Sequence, residues 1–175
     1  MNLYLRLLVL LFRLISLPQK PPLEESRVSF RVLPNDCDIN FHMNNGRYLS
    51  FMDLGRVHLM RQSRLLGHIL RNRWMPVLTA AEINFIRSLA PLQKFELVTR
   101  IATWDEKYFY MEQRFESKDA LCAHSFVKGL FLGRDGKKIA NDDIIAAMGW
   151  NGDPPEMVEE LKIWAELGSV KKQNA

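Results

Sequence analysis

Cysteine is scarce in this 175-residue chain: Cys37 and Cys122 are the two present. Without CxxC spacing they build neither a disulfide framework nor a zinc ribbon, and they suit a reducing compartment. Histidine is almost as thin, at four residues with no HxxxH pair, so a metalloprotease-like centre has no ligands to draw on. Internal repeats and low-complexity tracts are absent, which sets aside solenoids and disordered linkers. No apolar run reaches the ~20 residues of a membrane-spanning helix. Acidic residues are missing from the first twenty positions, where Arg6, Arg13 and Lys20 stand alone, and the rest of the chain is nearly neutral despite a net charge of +4. A nucleic-acid binder concentrates more charge on its fold, and no RNA- or DNA-binding motif appears. No nucleic-acid partner is expected.

What is present begins with "LYLRLLVLLFRLISL", Leu3 to Leu17. Its fifteen residues make a helix of roughly 22 Å, short of a hydrocarbon core of ~30 Å, and the two arginines oppose spanning. Arg6 and Arg13 are seven apart and share a helical face. The segment reads as an amphipathic helix on a membrane surface, arginines toward anionic headgroups; the alternative is a helix packed on its own domain or across a dimer. "LPQKPP" (Leu17 to Pro22) then stops it. The expected organisation is residues 1–22 as helix and linker, 23–150 as the domain, and 151–175 as a terminal helix and tail.

From Ser26, "SRVSFRVL" alternates Val28, Phe30 and Val32 with polar neighbours, as a strand does. After a polar loop, residues 45–67 run without proline, with Tyr48, Met52, Gly55 and Leu59 at helical spacing and Arg47, Arg61 and Arg64 free to face outward. This predicts one long helix. Strands are predicted over 77–87, 94–104, 108–117 and 120–133, the last being apolar enough to be central. Turns fall at "TWDEKYF" and "GRDGKK", and a last helix is predicted from Asp153-Pro154 to about Gly168. A single long helix satisfies one face of a five-stranded sheet when the sheet curls around it. That is the hotdog fold, an α+β architecture, and its uncovered edge calls for a second copy of the chain.

The loop "NDCDINFHMNNGRY" (Asn35 to Tyr48) gathers two carboxylates, a thiol, an imidazole and several carboxamides. A metal site is excluded by its ligand spacing, including that of calcium loops. Cys37 lies between Asp36 and Asp38, whose negative field disfavours a thiolate nucleophile; Cys122 reads as core. Carboxylate catalysis remains. Asp38 stands seven residues before Asn45, where the helix is expected to open, and unpaired N–H groups at a helix start polarise a carbonyl. The competing reading is a scaffold of Asx turns and a helix cap.

"DCDINFHMNNGRYLSFMDLGR" (Asp36 to Arg56) resembles the signature of acyl-CoA thioesterases of the 4-hydroxybenzoyl-CoA thioesterase type, which are hotdog enzymes. "WDEKYFYMEQRFES" (Trp104 to Ser117) looks more narrowly like the branch called thioesterase superfamily member six, whose members also carry a hydrophobic N-terminal segment. The resemblance covers roughly residues 25–148. It implies that Asp38 is the catalytic carboxylate, that the Asn45 N–H binds the thioester oxygen, and that Tyr48 is the motif tyrosine. His42 and Asn44 replace apolar residues of the benzoyl-type enzymes, so the aromatic substrate preference does not carry over. His42, Asn44, Tyr48 and Arg87 are the candidate substrate-binding residues; Asp36 reads as a loop anchor, and Asp53 with Arg56 as an ion pair.

Between Leu54 and Ala81 no acid occurs among Arg56, Arg61, Arg64, Arg71, Arg73, His58 and His68. Such a stretch could meet the phosphates of coenzyme A, an acyl carrier protein or anionic lipid, or form a solvated helix face. Three functions follow as alternatives: thioester hydrolysis on acyl-CoA or an acyl carrier protein thioester, non-catalytic acyl binding at a membrane, and enoyl-CoA hydration, whose Asp-x-Asn-Pro-x-His motif "DINFH" only approaches. No cofactor or metal is implied. A homodimer or larger homo-oligomer is expected, in the cytoplasm or peripheral on a membrane through residues 3–17.

Overall fold

The computed structural model describes residues 2–173. In chain order the elements are α1 (Asn2–Ile15), β1 (Ser26–Arg31), a 3-10 turn (Pro34–Asp36), α2 (Asn45–Gln62), α3 (Leu65–Asn72), β2 (Met75–Phe85), β3 (Lys94–Trp104), β4 (Phe109–Ser117), β5 (Ala120–Leu132), α4 (Asn141–Ala147) and α5 (Glu159–Gln173). The strands form one sheet in the order β1-β3-β4-β5-β2. All four pairings are antiparallel. α2 lies on one face of this sheet, which is the expected hotdog arrangement.

Alternation along β4 explains how the sheet is covered. Phe115 packs against Tyr48 of α2, and Gln113 donates to the Met52 carbonyl of the same helix. Tyr110 points the other way and packs with Ala102, Phe126 and Leu161 of α5. So α2 fills the inner face and α5 covers part of the outer one. Contact is closest at Gly55, where a Cβ atom would lie 2.6 Å from Leu97 Cδ2 and 2.7 Å from Thr99 Oγ1. Only glycine lets α2 sit this low over β3.

Several sequence expectations need correction. The long helix ends at Gln62, and Arg64 takes a positive φ of 68° before α3 begins. The turn brings Leu65 and Ile69 into a second apolar cluster with Leu59, Ile144 and Ile145; burial there outweighs the cost of a left-handed arginine. α4 was not foreseen. The last helix starts at Glu159 rather than Asp153, and the Pro155 carbonyl ahead of it accepts from Thr103 on the sheet. β5 is interior, but the middle strand is β4. Arg87 lies just beyond the end of β2, where its N–H donates to the Cys122 carbonyl.

α1 packs on the domain, the second of the two readings left open for it, and only the direction of Arg6 differs from expectation. Leu10 and Leu14 are buried in the main core with Phe51 and Leu54 of α2. Arg6 points into the domain instead of toward solvent, its guanidinium lying 4.6 Å from the Phe51 ring centroid. The opposite face exposes Tyr4, Leu8, Leu11, Phe12 and Ile15. The side chains of Leu3 and Arg13, and all of Asn174 and Ala175 in the expected tail, lie outside the described residues. No helix among the described residues is long and apolar enough to cross a membrane.

Candidate active site

The 3-10 turn after β1 drives Asp36 inward. Its side chain has no exposed surface and binds two arginines: Arg6 of α1 reaches Oδ2 at 2.5 Å and Arg47 of α2 reaches Oδ1 at 3.0 Å. The Leu33 N–H donates to Oδ2 as well, and the Asp36 carbonyl accepts from the Asn44 N–H at 2.9 Å. Asp36 is thus the loop anchor that its position suggested.

Beyond it the chain folds back on itself. Cys37 and Met43 form a bridge that closes a tight turn. The Asp38 N–H donates to the His42 carbonyl and the Phe41 N–H to the Asp38 carbonyl, both at 3.1 Å. Phe41 takes a positive φ of 56°, a conformation that an aromatic residue adopts only when its surroundings impose it. Met43 N–H donates to the Leu89 carbonyl at 2.8 Å, pinning the turn to the segment after β2.

Asp38 sits at the start of this turn with its side chain about one quarter exposed. Oδ1 accepts from the Asn40 N–H at 2.9 Å and lies 3.8 Å from Nδ1 of His42. α2 opens at Asn45, as the spacing predicted. Asn44 is its N-cap, with Oδ1 accepting from the Gly46 N–H at 2.9 Å, so its carboxamide serves the helix. The Asn45 N–H, being at the first helical position, has no acceptor within the helix.

Tyr48 lies in the core, its ring 5.0 Å from Phe85 and 4.8 Å from Phe115, and burial raises its phenol to about 12. Arg87 is exposed, two residues before the Leu89 carbonyl that holds Met43. The structure therefore brings Asp38, His42, Asn44, Asn45 and the Arg87 segment to one end of α2, with Tyr48 behind them. Cys37 is held neutral, its thiol pushed up by burial and by Asp36 and Asp38. Among the described residues no three His, Cys, Asp or Glu side chains gather as metal ligands would.

The basic stretch divides. His58 is buried, its ring bonded to Ser26 Oγ at 2.6 Å, and burial lowers its affinity for a proton, as does Lys20. Arg56 is mostly buried against Asp53 and Gln113. Arg64, Arg71 and Arg73 remain on the surface and Arg61 is half-exposed. Farther along α2, an apolar cavity of about 200 Å³ lies between Val57, Met60, Val77, Phe109, Met111 and Phe131. Its Arg56 edge is about 16 Å along the helix from Asn45, at 1.5 Å per residue.

Sequence reasoning missed the two arginines on Asp36. One signal was available. Arg47 stands in the first turn of α2, where the helix dipole disfavours a cation unless an acid compensates it.

Comparison with known proteins agrees with this arrangement. The model of the thioesterase-like superfamily matches residues 32–164. Protein THEM6 of zebrafish (Danio rerio) is 36% identical over 159 residues, 89% of this chain and 76% of its own length. The crystal structure of YbaW, a probable thioesterase from Escherichia coli, superposes with a TM-score of 0.66 at 16% identity, covering 70% of this chain and 96% of that one. SAV2348 from Staphylococcus aureus, determined in complex with CoA, gives a TM-score of 0.64 at 14% identity over 79% and 91% of the two chains. The family match over most of the chain places it in the thioesterase-like superfamily, and its fold is the hotdog fold.

Proposed function

We propose that this protein hydrolyses acyl thioesters of coenzyme A, or of an acyl carrier protein, at the Asp38 turn. The observation that carries the reading is the placement of one partly exposed carboxylate, Asp38, on a turn closed just before the N–H at the start of α2, which has no acceptor within the helix. The Asn45 N–H polarises the thioester carbonyl and stabilises the oxyanion as it forms. Asp38 either takes a proton from an attacking water or attacks the carbonyl carbon itself. In the first case the tetrahedral adduct collapses, the C–S bond breaks, and the thiolate takes up a proton to leave as free thiol. In the second the thiolate leaves first, and water then cleaves the resulting anhydride to regenerate Asp38. The cavity beside Val57 and Met60 would receive the acyl chain along α2, with His42 and Arg87 near the carrier.

Asp38→Asn tests this on a panel of acyl-CoA substrates with thiol detection. The expected loss is about 10²- to 10⁴-fold in kcat, with the fold retained. Undiminished hydrolysis would remove Asp38 from the mechanism. Hydration of crotonyl-CoA without thiol release would favour the hydratase, and ligand binding without either reaction the acyl-binding protein.

A second copy of the chain completes this reading. β2 is an edge strand of eleven residues that exposes Met75, Leu78 and Phe85, and the Asp38 turn exposes Ile39 (92%) and Phe41 (80%). Unpaired edges and apolar loop tips of this kind are covered by partners. The outer face of α1, which exposes Tyr4, Leu8, Leu11, Phe12 and Ile15, suits a membrane interface.

A further inference from the structure

α1 reaches the candidate active site through one residue. Arg6 places Nη2 2.5 Å from Asp36 Oδ2, and Nη1 and Nη2 each lie 3.2 Å from the Arg31 carbonyl at the end of β1. The other oxygen of Asp36 takes Arg47 Nε and Nη2, at 3.2 and 3.0 Å. One fully buried carboxylate therefore joins three elements: α1, the end of β1 through Leu33, and the first turn of α2. The same residue holds the N-cap with its main chain, because the Asp36 carbonyl accepts from Asn44 N–H. Two residues further on is Asp38; one residue beyond the N-cap is Asn45.

What Asp36 binds therefore bears on the relative position of Asp38 and the Asn45 N–H, together with the Cys37–Met43 bridge and the Leu89 carbonyl. A buried carboxylate is costly unless its charge is compensated. Arg6 brings part of that compensation from α1. Its guanidinium also lies over the Phe51 ring, and its side chain is 12% exposed.

We propose that Arg6 and Asp36 are positioning residues for the reaction: α1 clamps the Asp38 turn against the start of α2, so the N-terminal helix is part of the catalytic apparatus and not a detachable anchor. The proposal rests on the hydrolase reading of Asp38. It differs from that reading in predicting that a residue remote from substrate controls turnover. Misplacing reacting groups by about 1 Å costs on the order of 10²-fold in rate while leaving ground-state binding largely intact.

The test uses the full chain with Arg6→Met, Arg6→Gln and Arg6→Lys, and two measurements. Kinetics on acyl-CoA should show kcat lowered about 10- to 100-fold in Arg6→Met, with KM changed far less and partial recovery in Arg6→Lys. Amide hydrogen exchange should show faster exchange at Asp38, Phe41, Met43 and Asn44 in Arg6→Met, with the strands of the sheet protected as in the wild type. Should Arg6→Met fail to fold, Arg6→Gln reads the same two quantities with a neutral hydrogen-bonding side chain. Wild-type kcat together with wild-type exchange of the turn in either neutral variant overturns the clamp and leaves the hydrolase reading standing. Absence of thiol release from the wild type overturns the hydrolase reading instead, and faster turn exchange in the variants then still establishes the clamp.

Discussion

Arg56 on α2 donates through Nη1 to Oε1 of Gln113 on β4, 2.9 Å away, at the centre of the interface between helix and sheet. Gln113 has no exposed surface, and its amide donates to the Met52 carbonyl and the Thr99 hydroxyl, both at 3.0 Å. Arg56 also pairs with Asp53 one turn back along α2. The two side chains carry a polar link through an otherwise apolar layer. Gln113→Leu keeps the volume but leaves the Arg56 guanidinium short of an acceptor. A loss of about 1–3 kcal/mol is expected, read as a lower denaturant midpoint at constant m.

Gly55→Ala measures how closely α2 must approach β3. Alanine favours the helix by about 1 kcal/mol over glycine, but its methyl group would meet Leu97 and Thr99 inside contact distance. Thr99 is held by Gln113 and Leu97 is fully buried, so neither can yield cheaply. Overpacking of this kind costs about 1–3 kcal/mol, and it outweighs the propensity gain. Net destabilisation in equilibrium unfolding is the expected result; a more stable variant would show that the layer is loosely packed.

Glu112 sets an acid limit to stability. Burial alone would raise its carboxyl, but hydrogen bonds from His124 and Arg100 and the charges of Arg100 and Arg114 hold it down at about 2. A depressed carboxylate stabilises the fold above its ordinary pKa, and that contribution is lost as pH falls toward the folded value. Stability should therefore decline between about pH 4.5 and pH 2, by an amount on the order of 1–3 kcal/mol after solvent screening. In Glu112→Gln that part of the decline should vanish from a series of denaturation midpoints against pH.

The β2 edge predicts self-association. Met75→Glu combined with Leu78→Glu places charge at two exposed apolar positions of that edge. Sedimentation should show a dimer in the wild type and a dissociation constant raised at least tenfold in the double variant, on the order of 1.4 kcal/mol or more. A wild type that sediments as a monomer at micromolar concentration would count against the edge as an interface.

The outer face of α1 predicts lipid binding. Leu8→Asp with Phe12→Asp alters two exposed positions and leaves the inner contacts of Leu10 and Leu14 in place. Co-sedimentation with anionic vesicles should be lost while thermal stability is retained. Equal binding by the variant would assign membrane contact to another surface.

The strands, the start of α2 at Asn45 and the loop between β1 and α2 were legible along the chain because each rests on local rules. Alternation marks Val28 or Phe115, helical spacing marks Met52 and Leu59, and the Asn44 cap marks a helix start. The break at Ser63–Arg64 was not legible, since it answers to the packing of Leu65 and Ile69 on α4, seventy or more residues away. The last helix began late for a similar reason: Pro155 is held by Thr103 across the outer face.

The sequence by itself determined the class of the fold, because periodicity is written in neighbouring residues, and it singled out Asp38 as the candidate carboxylate through the family resemblance of its loop. It could not decide which way Arg6 faces. A helix apolar on nearly every side suits both a membrane and a protein core, and the choice depends on Asp36, a buried charge thirty residues later that needs compensation. Only the tertiary structure brings that partner within reach.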